Sequence, residues 1–492
     1  RRLILRCSGA TMRHTMHDAR RRLRLGARSR LDGLHPMGSY LLRVRGFSRD
    51  IHLFLLYNLL AYVGFGVFIL IYNLYLIQLG LREDYIGAFN AVLTLSTAGA
   101  AATMGPVLRR YGVWRCMVGG LVLFLAVSIA LALVTVPAVL LVLGSLFGIA
   151  LAYISTVTMP FIIEWGRVDR RAEIAAMTFS LISLATTLGS LLGGFAPTLI
   201  SAPIPSIEPG SLAAYRWTLI AGSLVALTAL IPVVRMGEAR RRPARDAKRD
   251  GREEEESPAE QRQARRDVWV FVAVGGLMAI GVGMVGPFYN VYLASLGASA
   301  RQIGYIYAIA GLSAAVVGLA APSLAARMGT LQAVLLVRLS VVPFFVLLIV
   351  SPGIGIAVLA QLVRATSISM AWPLDSTFIA EVLPARYRAS VFGLRSAAWN
   401  LTFSGASLLA GWVIVRAGYT WPFLSLIVFS TASVVLFVVY FRRHPRVRAG
   451  EIPSTLGSRQ RERRQEEGRG GGEELAGARR AVPGVRPERP RP

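Results

Sequence analysis

Charge is scarce along this chain, and cysteine scarcer still. Only 16% of the 492 residues are charged, against the roughly one quarter typical of soluble domains. The two cysteines, Cys7 and Cys116, supply neither a disulfide framework nor a metal-ligand spacing. A phosphate-cradling loop of the form GxxxxGK followed by Ser or Thr is absent, so the chain carries no ATPase of its own. There is no His/Cys cluster of metal-binding type and no nucleophile elbow. The sequence therefore points to no enzyme, no catalytic residue, no cofactor and no metal. The first fifty residues lack the apolar core, about 7–15 residues long, of a cleavable signal. They also lack an initiating methionine, and residues 1–36 are expected to precede the true start at Met37.

What the chain has in quantity is apolar side chains, 54% of the total, gathered between about 51 and 441. A stretch of roughly 18 or more apolar residues is long enough to cross a bilayer. The 51–79 block has no charged residue after His52. An amphipathic soluble helix of that length would show a polar face. Twelve such spans are expected near 51–79, 85–108, 115–134, 136–163, 174–200, 213–235, 268–296, 302–325, 330–350, 353–380, 389–415 and 419–441.

The net charge of +27 is unevenly placed. A basic chain invites a nucleic-acid reading, but here the arginines crowd the ends, alternate short loops and the 235–267 segment, and Lys248 is the only lysine. That bias marks loops held on the cytoplasmic side. Both termini and the central loop are therefore expected in the cytoplasm, with the chain in the plasma or inner membrane and no nucleic-acid partner. Residues 1–50 read as a basic, disordered N-terminal extension, 51–235 as a first six-helix half, 236–267 as a charged flexible linker, 268–441 as a second half, and 442–492 as a disordered basic tail.

The two halves repeat. Tyr72-Asn73-Leu74-Tyr75-Leu76-Ile77-Gln78-Leu79-Gly80 aligns with Tyr289-Asn290-Val291-Tyr292-Leu293-Ala294-Ser295-Leu296-Gly297 at an offset of 289 − 72 = 217. The same offset relates Ile86-Gly87 to Ile303-Gly304, Arg110 and Gly112 to Arg327 and Gly329, Glu164 to Glu381, and Arg171 to Arg388. Six spans separate equivalent points. Six is even, so the halves share one orientation and are related by an axis along the membrane normal. Such a duplication serves a site between the halves, opened alternately to either side.

The segment Gly105-Pro106-Val107-Leu108-Arg109-Arg110-Tyr111-Gly112-Val113-Trp114-Arg115 resembles the loop motif GxxxDRxGRR of the major facilitator superfamily. Gly105, Arg110 and Gly112 match. Arg109 stands at the aspartate position, and in the second half Ala326 does, followed by Arg327-Met328-Gly329. What remains is a tight glycine turn with a basic residue at the lipid surface. The resemblance covers about 51–441. It implies an all-α membrane protein of twelve transmembrane helices in two parallel six-helix repeats. It also implies secondary active transport of a small molecule by alternating access. An exporter or an ion-coupled carrier fits that plan, with an ion such as H+ as the energy source and a monomer in the lipid bilayer as the working unit. The alternative is a transporter-fold receptor or sensor that binds a ligand without moving it.

Ionisable side chains inside a span are costly and are functional candidates. Arg364 falls near the middle of the tenth span and is read as facing the cavity, where it would attract an anionic or strongly polar group. Asp375 lies eleven residues on, about three turns, and so points the same way. It is the proton-coupling candidate, and with Arg395 it would form a gate ion pair. Arg338 is expected to snorkel to the surface. Asn73 and Asn290 would bind substrate or fasten helices. Tyr72 and Tyr289 would line the pathway or join an aromatic belt. Trp399 and Asn400 would sit deeper in the cavity. Glu164 with Arg171, and Glu381 with Arg388, read as loop salt bridges at the gate, beside the Arg110-Gly112 and Arg327-Gly329 turns.

Overall fold

A computed structural model of the chain describes residues 47–167, 170–203, 207–237 and 258–445. Met37, the expected disordered extension before residue 47, most of the linker, and the tail beyond 445 lie outside the described residues. No strand occurs among the described residues.

The first half comprises α1 (Arg49–Gln78), α2 (Glu83–Leu133), α3 (Pro137–Thr156), α4 (Thr158–Trp165), α5 (Arg171–Ser201), α6 (Leu212–Leu227) and α7 (Leu230–Arg235). The second comprises α8 (Pro258–Val285), α9 (Tyr289–Ser295), α10 (Ala300–Gly318), α11 (Ala321–Met328), α12 (Thr330–Leu339), α13 (Val342–Val350), α14 (Ile354–Val382), α15 (Ala385–Ala417) and α16 (Thr420–Arg442). α8 begins ten residues before the expected end of the linker. Asp267, placed by sequence at the linker's last position, is buried there. It accepts hydrogen bonds from Tyr440 (2.8 Å) and Gln263 (3.0 Å) and lies 3.2 Å from His444, so the two ends of the second half are tied together.

Among the described residues, eleven helical stretches are long and apolar enough to cross a membrane, and one of them must cross twice. α2 has 51 residues, about 76 Å at 1.5 Å per residue, more than double a bilayer's hydrocarbon core of roughly 30 Å. It breaks at Gly112, where φ is 77° and ψ is 160°. Twelve spans result. The repeat-equivalent Gly329 has φ 86° and ψ 151° and separates α11 from α12. The 217-residue offset thus carries a backbone conformation as well as a residue type. It does so again at Gly80 and Gly297, which end α1 and α9 in matching turns: Leu81 and Ala298 each return an N–H to the carbonyl five residues earlier, Leu76 and Leu293.

The loops sort the molecule into two faces. The turns at Gly112, Gly329, Arg171 and Arg388 lie on one, the arginine-rich face. The turns at Gly80, Gly297 and 351–353 lie on the other, the arginine-poor face. Large aliphatic side chains such as Leu199, Leu319 and Val350 stand exposed on the flanks. Lipid, not water, is the medium that suits such surface.

A side chain at Gly112 or Gly329 would be held at positive φ with extended ψ, a region essentially confined to glycine, at a cost of about 1–3 kcal/mol. Gly112→Ala and Gly329→Ala are each expected to lower the thermal unfolding midpoint of the detergent-purified protein. Gly99→Ala, at a helical position with open space around it, should not. Equal losses at all three would contradict this account.

Candidate functional site

Polar side chains gather at three depths, and at the first of them the two halves meet. On the arginine-poor face, the halves clasp each other reciprocally. Asn73 of α1 donates from Nδ2 to the carbonyl of Pro287 at 2.6 Å, and Asn290 of α9 donates to the carbonyl of Leu70 at 2.8 Å. Leu70 and Pro287 are themselves 217 residues apart, so one contact is the symmetry mate of the other. The local sequence makes this possible. Gly286–Phe288 forms a short 3-10 turn that interrupts the seventh span, and irregular backbone at membrane depth is tolerated where protein buries it. Both asparagines are buried, and here they act as fasteners between helices.

Glycines close the same face. A Cβ on Gly87 would fall 2.5 Å from the Ser407 carbonyl, and one on Gly304 would fall 2.8 Å from Cα of Gly194. Gly411 is equally filled by Glu83 and Asp84, as Gly194 is by Ala300. These are again mates: 87 with 304, 194 with 411, 83 with 300. α2 therefore meets α15, and α5 meets α10, at backbone contact. Tyr419, in the loop before α16, donates to the Glu83 carboxylate at 3.2 Å. Burial, and then that carboxylate, raise its phenol far above the usual value, so it stays a donor at neutral pH.

Mid-depth belongs to Arg364. It lies ten residues into α14, about 15 Å from that helix's arginine-poor end. Its Nε and Nη2 donate to Oε1 of the buried Gln361 at 3.1 and 2.7 Å, and its guanidinium lies 5.3 Å from the ring centre of Tyr289. Tyr289 is itself fixed by a 2.6 Å bond to the Ala357 carbonyl. It is the residue next to Asn290, so Arg364 sits one side-chain layer beneath the clasp. Tyr72, the repeat mate of Tyr289, is fully packed between Phe68 and Phe89 and is not on a pathway in this state. Asn400 donates to the Ser396 carbonyl of its own helix, and Trp399 beside it is half-buried.

Nearer the arginine-rich face, Asp375 joins two guanidiniums. Oδ2 accepts from Arg338 at 2.6 Å and also from Arg395. Arg338, expected at the surface, is only 2% exposed; it also reaches Ser433 and lies over the Phe437 ring. Snorkelling is unnecessary because α14 brings a carboxylate within reach. The stem of Arg395 packs where Gly275 leaves room. The first half has no such group: the mates of these three residues are Leu121, Thr158 and Thr178.

Arg171 and Arg388 make a different contact from the one expected. Arg171 donates to the carbonyls of Gly166 (3.2 Å) and Ile163 (2.5 Å), and Arg388 to those of Leu383 (3.0 Å) and Ala380 (2.7 Å). Both therefore cap the C-terminal carbonyls of the preceding span, a favourable place for a cation. Glu164 is half-buried and is not the partner of Arg171. Arg110 and Arg327 are exposed at the glycine turns, Arg110 over the ring of Tyr111.

The family model described as Major Facilitator Superfamily matches residues 54–374 and, in a second overlapping match, 277–480. The chain belongs to the Major Facilitator Superfamily. No curated protein matches it in sequence. Solved superfamily structures share its fold. The nucleoside transporter NupG is similar with a TM-score of 0.61 at 16% identity, over 80% of this chain and 98% of that one. A D-xylose-proton symporter gives 0.59 at 14% identity over 79% and 97%. A bacterial homolog of the human lysosomal transporter Spinster, in an inward-facing and occupied conformation, gives 0.61 at 13% identity over 84% and 98%. As a member of this superfamily the protein is a secondary transporter and not an enzyme. The superfamily's loop motif is present here without its aspartate, and α2 still breaks at Gly112.

Removing the shared acid of the buried triad should cost far more than removing the excess base. Asp375→Asn strands two guanidiniums and is expected to destabilise by about 3–5 kcal/mol. Arg338→Leu leaves a neutral Asp375–Arg395 pair and should be much milder. Thermal unfolding of the two purified variants decides it, and a milder Asp375→Asn would refute this assignment.

Proposed function

We propose that the protein moves a small molecule across the membrane by alternating access, with the arginine-rich face cytoplasmic and the halves rocking so that the Asn73–Asn290 clasp breaks and re-forms. The observation that carries this reading is the closed arginine-poor face. There the two halves meet through mated hydrogen bonds and mated glycine contacts, and Arg364 waits one layer below. Reversibility follows from the magnitudes. Interhelical hydrogen bonds in membranes contribute about 0.6 kcal/mol each, so two of them hold a face shut without locking it. The glycine contacts add close packing with no side chain to unthread. Arg171 and Arg388 keep the helix ends on the opposite face intact while they move, by holding carbonyls within their own half.

Phe195 of α5 and Tyr305 of α10 meet across the halves on the closed face, with ring centres 4.9 Å apart. A Phe195→Cys/Tyr305→Cys pair, in a Cys7→Ser/Cys116→Ser background, should cross-link readily in proteoliposomes. Counterflow of pooled labelled sugars, nucleosides and organic anions is the readout. At least one solute should exchange in the reduced protein, stop on cross-linking and resume on reduction. Absence of exchange for the whole pool, or exchange that survives cross-linking, would refute alternating access through this face.

A further inference from the structure

The charge balance of the membrane interior is uneven, and the imbalance falls at the candidate site. Among the described residues the first half places no charged side chain at mid-depth: α1 has none between His52 and its end, and its partly accessible residues there include Phe65 and Ile69. The second half places three arginines inside, Arg338, Arg364 and Arg395. Among the described residues the one carboxylate that meets any of them is Asp375, and it is shared by Arg338 and Arg395. That triad retains one positive charge. Arg364 is left with an amide oxygen and a ring face.

An amide carbonyl orients a guanidinium without neutralising it. Gln361 occupies Nε and Nη2 and so fixes the plane of the group, while Nη1 has no hydrogen-bond partner among the described residues. The Tyr289 ring packs against the guanidinium and is held by its own hydrogen bond. Tyr307 of α10 lies close enough to feel the same charge. A half-buried cation of this kind, pre-oriented and unneutralised at the bilayer midplane, is costly when empty. The planar fork matches a carboxylate bidentately.

Resting on the transporter reading, we propose that the substrate is an organic anion whose carboxylate is bound by Arg364, with its apolar body against the uncharged wall of α1. The site is one-sided by construction. The mates of Gln361 and Arg364 in the first half are Gly144 and Phe147, which are buried among aromatic rings. A single anionic head is therefore met from the second half only, one side-chain layer below the clasp.

The test is binding to the purified full-length protein, read as ligand-dependent thermal stabilisation, which rises with ligand concentration over its dissociation constant. The probes are butyrate, octanoate and benzoate, each beside its matched amide and amine. The carboxylates should stabilise the protein at concentrations at least tenfold lower than their amides, and the amines should not stabilise it. Arg364→Gln should remove the preference for carboxylate over amide. Arg338→Leu, outside the site, should preserve it. Stabilisation by amines or amides equal to that by carboxylates, or a carboxylate preference that survives Arg364→Gln, overturns the assignment. Arg364→Lys guards against a folding defect: it should keep a weakened preference, and a folded Arg364→Lys protein with none would also count against it. Binding without counterflow would leave the anion site standing and sink the transport reading, whereas counterflow of neutral solutes unaffected by Arg364→Gln would do the reverse.

Discussion

Two side-chain amides cross the molecular axis in opposite directions, Asn73 to the carbonyl of Pro287 and Asn290 to that of Leu70. Much else on the arginine-poor face is arranged so that they can meet. Pro287 ends the regular part of the seventh span and turns its carbonyl toward α1. Glycines at 87, 194, 304 and 411 let the neighbouring helices come to backbone contact. The turns at Gly80 and Gly297 finish both asparagine-bearing helices a few residues beyond the clasp. Each bond is weak on its own. Their value lies in being paired by symmetry, since neither half can move away from the axis without breaking both.

The duplication explains why this is economical. A contact made by residue i of one half with residue j of the other can be repeated at i + 217 and j − 217, and the amide clasp and the glycine contacts on the closed face each come twice. Within a half the same rule holds. Gly66 rests on Thr186 and Gly189, and Gly283 rests on Phe403 and Ala406. Departure from symmetry is then informative. The second half replaces Leu121, Thr158 and Thr178 with Arg338, Asp375 and Arg395, and replaces Gly144 and Phe147 with Gln361 and Arg364. Shared residues build the moving frame, and the unshared ones carry charge.

Much of the frame is legible in the sequence, because hydropathy counts spans and a fixed offset relates them. The break at Gly112 is legible too, once its mate Gly329 is seen. Azimuth is less so. Spacing puts Arg364 and Asp375 on one side of α14, but it does not reveal that Arg338 of the neighbouring span turns inward to meet Asp375. Arg338 looks like a surface arginine because its depth alone permits it to reach water. Likewise Arg171 and Glu164 lie a helix turn or two apart in sequence, which suggests a salt bridge. The chain instead folds Arg171 back over the end of its own preceding helix, where free carbonyls compete successfully for the guanidinium. The asparagines are visible as a mated pair, yet their acceptors are backbone atoms, which sequence does not distinguish from one another.

In the proposed cycle the reciprocal amide clasp sets how long the arginine-poor face stays shut. Spin labels at Gln78 and Ser295, exposed mates on that face, report its opening directly as a distance distribution in lipid nanodiscs. Two interhelical bonds of about 0.6 kcal/mol each correspond to a population shift of roughly tenfold. The Asn73→Ala/Asn290→Ala protein should therefore show the long-distance component enriched by about that factor over the parent. A distribution that superimposes on the parent's would contradict the account.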